Sequence, residues 1–273
     1  MNKILCSTGA AIGKANGYNY KLLESLSKQL ICDGFELMMD SPWYNNIEAL
    51  KSFLIKKNFY IPVVHCEKVI GEIISKGSED ERTEAYRMFS MDCDVADCIG
   101  AKKLVLHLWG GMASDSNFQN NINAYPYLNE LAEKYELELL IENVVCNVEN
   151  PMKHLKELKE KFPKVKFVFD TKMAAFHEQL ELLYEKEYEW LWKDGYICHY
   201  HVNDYAGGYM DWSNLKTLSI GTGKVDFNRF FDFIKRICYK GDFTVEATAF
   251  DSEGVIDVDM LNEQFKYIRE KLR

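Results

Sequence analysis

Eight cysteines are scattered through the 273 residues at wide spacings, and no two of them form a C-x-x-C pair. That absence excludes a zinc-ribbon framework and disfavours a disulfide scaffold. Cys6, Cys32, Cys66, Cys93, Cys98, Cys146, Cys198 and Cys238 are therefore expected as reduced thiols packed as small hydrophobes. No apolar run approaches the ~20 residues that a membrane-spanning helix needs. The opening Met1-Asn2-Lys3-Ile4-Leu5-Cys6 turns polar and Gly-rich, unlike a signal peptide, so a cytoplasmic protein without membrane partners is expected. Positive charge is the scarcer sign, 33 Lys+Arg against 42 Asp+Glu for a net charge of −9. That balance repels polyanions, so nucleic acid is not an expected partner. Phosphate-binding glycine loops are missing too. The segment from Ser7 to Gly13 does not fit G-x-G-x-x-G, and Gly221-Thr222-Gly223-Lys224 lacks the P-loop spacing before its lysine. With no linker or low-complexity stretch, one domain over residues 1–273 is expected.

What is present is a repeating unit, a short apolar run followed by an amphipathic stretch. Eight candidate strands begin at Lys3, Phe35, Tyr60, Lys103, Leu137, Val165, Ile197 and Phe243. Several are apolar almost throughout, as strands buried on both faces should be. Between them lie helical faces, such as Phe118, Ile122, Tyr125, Leu128, Leu131 and Tyr135, or Phe227, Phe230, Phe231, Ile234 and Ile237. Ser78-Glu79-Asp80-Glu81 reads as a capping box before the third helix. Asn150-Pro151 reads as an N-cap with proline at the first helical position, and Phe162-Pro163 as that helix's end. Eight alternations imply parallel strands and right-handed crossovers, and eight is the number that closes a (β/α)8 TIM barrel.

The apolar runs end in polar residues of one kind: His65, His107, Glu142, Asp170, His201 and Glu246. In such a barrel all the C-terminal strand ends meet at one mouth, where active sites sit. Three carboxylates in one partly dry pocket cannot all stay ionised without a cation. Glu142, Asp170, His201 and Glu246 are thus expected to hold a divalent ion. Oxygen-rich ligation with one imidazole suits Mn²⁺, Mg²⁺, Co²⁺ or Zn²⁺.

The order and spacing of Leu106-His107, Ile141-Glu142-Asn143, Phe169-Asp170-Thr171, His201-Val202-Asn203-Asp204, Ile220-Gly221-Thr222-Gly223 and Val245-Glu246 resemble the xylose-isomerase-like barrels. These include sugar isomerases and epimerases, inosose dehydratases and endonuclease IV-type repair enzymes. The resemblance runs from the first strand to the last helix. In the ketose-epimerase members a Glu, Asp, His and Glu hold one metal and the two glutamates do acid/base work, which maps onto Glu142, Asp170, His201 and Glu246. The implied activity is a metal-dependent isomerase or epimerase of a sugar or sugar-like polyol. One carboxylate removes a proton beside a carbonyl to give an enediolate, and the other returns it. A keto-polyol dehydratase is a close variant. An endonuclease IV-like phosphodiester hydrolase and a sugar-binding barrel without catalysis are the alternatives.

Two departures from that pattern stand out. Many members carry His three residues after the aspartate, where this chain has Met173. The repair enzymes add a D-x-H pair where this chain has Leu215 and Thr217, so a three-metal cluster is not expected. His65, His107, Trp109, Asn143 and Lys172 are assigned to substrate. For Trp109 stacking on a sugar and packing under its loop are both open, and Lys172 is either a substrate charge or a solvated rim residue. His177 is expected on the helix after Asp170, and Asp204 is expected to orient either the loop after the seventh strand or His201. The expected partner is a small sugar or polyol, and a homo-oligomer is compatible with this reading.

Overall fold

The computed structural model describes residues 2–273, leaving only Met1 of the N-terminal reading outside it. Eight strands, β1 (Ile4–Ser7), β2 (Gly34–Met38), β3 (Val63–His65), β4 (Lys103–Leu106), β5 (Glu138–Glu142), β6 (Lys166–Asp170), β7 (Ile197–His201) and β8 (Asp242–Val245), close in sequence order. The chain is a single (β/α)8 TIM barrel. Its helices are α1 (Leu23–Gln29), α2 (Ile47–Lys57), α3 (Val69–Lys76), α4 (Glu79–Cys98), α5 (Phe118–Lys134), α6 (Pro151–Lys161), α7 (Thr171–Phe176), α8 (Trp190–Lys193), α9 (Phe227–Arg236) and α10 (Val258–Leu272).

Two compact units divide the chain, Met1–Glu36 with Phe169–Arg273 and Leu37–Val168, and both cuts fall inside strands. In the first unit β1 pairs in parallel with β2 (Cys6 with Phe35, Ser7 with Glu36) and with β8 (Cys6 with Val245). β7 pairs with β8, placing His201 beside Thr244. The core here is aromatic. Tyr200 stacks on Phe243 at 5.8 Å, and α9 buries Phe227, Phe230, Phe231 and Phe233. In the second unit β3, β4, β5 and β6 pair in parallel, with His65 beside Val105 and Glu142 beside Val168.

The elements follow the sequence pattern with two corrections. The third strand begins at Val63, not Tyr60. Pro62 has no N–H to give a ladder, and its carbonyl accepts from Lys102 and Lys103 instead. The capping box at Ser78 is real, with Ser78 Oγ accepting from Glu81 N at 3.2 Å, but it opens the fourth helix because α3 comes first. Asn150 caps α6 by accepting from Lys153 N at 3.0 Å, ahead of Pro151. All eight cysteines are free.

Candidate active site

Within the unit Leu37–Val168, Glu142 ends β5 with 1% of its surface exposed. Its Oε2 is met by two imidazoles, His107 Nε2 at 2.8 Å and His65 Nε2 at 3.2 Å, whose rings pack edge to face. Burial pushes the His107 imidazole down to about 4, against the opposing pull of Glu142. A neutral His107 therefore donates its single N–H to the carboxylate. His65 Nδ1 lies 2.7 Å from the Cys66 carbonyl, which can only accept, so Nδ1 carries a hydrogen. With both nitrogens engaged, His65 holds Glu142 in place. Helix α3 approaches this cluster closely, since a Cβ on Gly71 would lie 2.2 Å from the His107 carbonyl.

For Trp109 the structure favours packing under its loop over stacking on a sugar. The residue is fully buried, donates Nε1–H to the Val144 carbonyl at 3.0 Å and packs edge-on against Phe118 and His154. It supports the loop and presents no face to a sugar. Asn143 is buried directly after Glu142. The loop that follows is clamped by buried Asp115, whose carboxylate accepts from Asn147, Val148 and Glu149 N–H at 2.7–2.9 Å and from His154 Nε2 at 3.0 Å. Burial would raise that carboxyl, but His154 and the three amides hold it far below the usual carboxylate range.

In the other unit, Asp170 ends β6, His201 ends β7 and Glu246 follows β8. Each presents a ligand-type atom within 4.8 Å of the others. Asn203 brackets the two carboxylates. Its Nδ2 donates to Asp170 Oδ2 at 2.8 Å and Glu246 Oε2 at 3.3 Å, while its Oδ1 accepts from Glu246 N. Thr171 Oγ1 fixes Asn203 by donating to its carbonyl at 2.7 Å and accepting its N–H at 2.9 Å. Asp170 Oδ1 also accepts from Met173 N at 2.8 Å. Glu246 Oε1 is buried and has no hydrogen-bond partner among the described residues.

His201 is held from behind by Glu36. Its Nε2 lies 3.0 Å from Glu36 Oε1 and 3.3 Å from Oε2, and its Nδ1 lies 3.4 Å from Glu246 Oε2. Glu36 also meets Thr244 Oγ1 and His199 Nε2, at 2.7 and 3.2 Å. Burial raises its carboxyl, yet His201 and His199 more than offset this and hold it well below the usual value. Sequence reasoning missed Glu36, His199 and Thr244. The signals were an acid inside the apolar run Phe35-Glu36-Leu37 and a second histidine two residues before His201, on the same strand face.

Lys172 is no rim residue. It is 7% exposed, and its Nζ donates to Thr217 Oγ1 at 2.9 Å. His177 falls one residue past α7, buried against Phe176 and near Tyr209. Asp204 orients the loop after β7, accepting from the N–H groups of Tyr205, Gly221, Gly223 and Val225 at 2.8–3.0 Å. A Cβ on Gly223 would lie 2.3 Å from that carboxylate, so the loop depends on glycine there. His201 is steadied by Glu36 instead.

These strand-end residues can be set beside known proteins. The profile of the xylose isomerase-like TIM barrel family matches residues 26–271. The chain belongs to this family. Comparison with curated proteins gives no match. Among solved structures it is similar to an L-ribulose 3-epimerase, at 14% identity and a TM-score of 0.71, covering 100% of this chain and 95% of that one. It is also similar to a D-allulose 3-epimerase from Methylomonas sp. in complex with D-allulose, at 15% identity and a TM-score of 0.67, covering 99% and 97%. The IolI protein with a bound zinc atom matches at 15% identity and a TM-score of 0.71, covering 99% and 98%. At such identities these likenesses establish the fold. Among the described residues, no helix is long and apolar enough to cross a membrane.

Proposed function

We propose that this barrel is a metal-dependent isomerase or epimerase of a sugar or related keto-polyol. Its centre would be one divalent ion held by Glu142, Asp170, His201 and Glu246. The observation that carries the reading is the cluster of Asp170, His201 and Glu246. There the buried Oε1 of Glu246 lacks a partner and an imidazole Nδ1 faces a carboxylate oxygen. Two buried carboxylates that share one neutral amide are costly without a cation. Carboxylate oxygens plus one imidazole are the donor set that Mn²⁺, Mg²⁺, Co²⁺ or Zn²⁺ takes. Glu142, which ends β5, would be the fourth ligand, as the resemblance to the ketose epimerases implies.

When bound, the ion supplies a Lewis acid that polarises a substrate carbonyl and its neighbouring hydroxyl. The chain's own residues move the proton. Glu246, with one oxygen uncommitted, is the base that takes it from the carbon beside the carbonyl. Glu142, its position set by His65 and His107, returns a proton to the opposite face or to the adjacent carbon. The first outcome is epimerisation and the second isomerisation. Support also comes from the names of similar structures, which include epimerases of ribulose and allulose and a protein with bound zinc. The test is to incubate ketoses with the Mn²⁺- or Co²⁺-loaded protein in D₂O. Deuterium at the carbon beside the carbonyl, absent in Glu246→Gln, is expected. No exchange with any ketose would remove the reading.

One observation favours a second reading. His65, His107 and Glu142 also present ligand-type atoms within 4.8 Å of one another, a place for a second ion and hence for phosphodiester hydrolysis. Two tightly held ions per chain would shift the weight to it.

A further inference from the structure

We infer that Glu36 is a positioning residue for this centre, fixing His201 as the Nε2–H tautomer so that Nδ1 is left as the metal donor. The inference rests on His201 being a ligand of the ion proposed above.

The hydrogen bonds around Glu36 allow one consistent order. Thr244 Oγ1 lies 2.7 Å from Glu36 Oε2 and 2.7 Å from His199 Nε2. A hydroxyl has one hydrogen, and an ionised carboxylate can only accept. Thr244 therefore donates to Glu36 and accepts from His199, which places a hydrogen on His199 Nε2. That same nitrogen lies 3.2 Å from Glu36 Oε2. On the other side His201 Nε2 sits between the two Glu36 oxygens, at 3.0 and 3.3 Å, so it too faces atoms that only accept.

A neutral imidazole carries one N–H. In the neutral ring, a hydrogen on Nε2 leaves the lone pair on Nδ1, the nitrogen that lies 3.4 Å from Glu246 Oε2. Glu36, His199 and His201 each have 0% of their surface exposed, which leaves no bulk water to substitute for the carboxylate. A carboxylate behind a ligating histidine also raises that ligand's basicity, and losing such a partner typically costs about 10–100-fold in metal affinity.

The experiment is long-range ¹⁵N–¹H correlation on histidine-labelled, metal-free protein, followed by titration of Zn²⁺ alone into wild type, Glu36→Gln and Thr244→Val. The expected results are the Nε2–H pattern for His201 in wild type and a mixed or reversed pattern in Glu36→Gln. Zn²⁺ affinity should fall roughly 10–100-fold in Glu36→Gln and less in Thr244→Val. A wild-type His201 protonated at Nδ1 alone overturns the inference, and this reading needs no variant to fold. Wild-type Zn²⁺ uptake with unchanged affinity in Glu36→Gln overturns the inference by itself. A wild-type protein that takes up no divalent ion overturns the metal reading and this inference with it.

Discussion

The two halves of the chain solve the problem of a buried carboxylate in different ways. In the unit Leu37–Val168, Glu142 is met by the imidazoles of His107 and His65 at 2.8 and 3.2 Å. The fold supplies the donors itself. In the other unit, Asp170 and Glu246 share the neutral amide of Asn203, Asp170 also accepts from Met173 N, and Glu246 Oε1 has no hydrogen-bond partner among the described residues. Glu36, in that same unit, again has imidazoles and a hydroxyl around it. Two imidazoles face Glu142 and two face Glu36, whereas a neutral amide joins Asp170 to Glu246.

The largest effect expected from breaking the contrast is at Glu246. Glu246→Gln removes the uncommitted oxygen's charge and basicity, and kcat should fall on the order of 10²–10⁴-fold, as losses of general bases do. Steady-state kinetics on any ketose that exchanges deuterium checks this, and retention of more than a tenth of wild-type kcat would assign the base elsewhere. On the other side, His107→Phe leaves Glu142 with His65 alone. Metal affinity should drop roughly 10–100-fold while the fold persists, measured by Zn²⁺ titration alongside thermal unfolding.

Stability rather than activity should respond at Asp115. Asp115→Asn weakens charge-assisted bonds to three amides and His154, with an expected loss of about 1.5–3 kcal/mol in urea unfolding. Its carboxyl is held below the unfolded value of about 3.9. A depressed pKa contributes stability that is present above the unfolded value and lost as pH falls through the folded one. The wild type should accordingly lose stability steadily below about pH 4, and Asp115→Asn should show a shallower acid slope. Equal slopes would show that the clamp is not ionic. The smallest effect belongs to Trp109→Phe. Losing one buried N–H donor to the Val144 carbonyl should cost about 1–3 kcal/mol with KM unchanged, and a raised KM at unchanged stability would return Trp109 to the substrate.

Much of this was legible in the sequence because strand ends announce themselves. Glu142, Asp170, His201 and Glu246 each close an apolar run, and strand order alone brings such ends to one mouth of a barrel. Ligand-type residues could therefore be named without any distance. What was illegible depends on packing between segments far apart in the chain. Glu36 and His201 are 165 residues apart, and no local pattern pairs them. Trp109 could be placed on a loop but not turned inward, because its orientation is set by Phe118, His154 and the Val144 carbonyl. Lys172 reads as a solvated charge by type, and only the position of Thr217 shows that it is buried. The extra helix α3 was hidden because the capping box at Ser78 gave a stronger start signal than its own uncapped beginning.

The central claim is tested most directly by counting divalent ions in the purified, metal-reconstituted protein and in the double variant Asp170→Asn/Glu246→Gln. The account predicts one tightly held ion per chain in the wild type and its loss in the double variant, with the variant still folded. An equal metal content in the two proteins, or none in either, would contradict it.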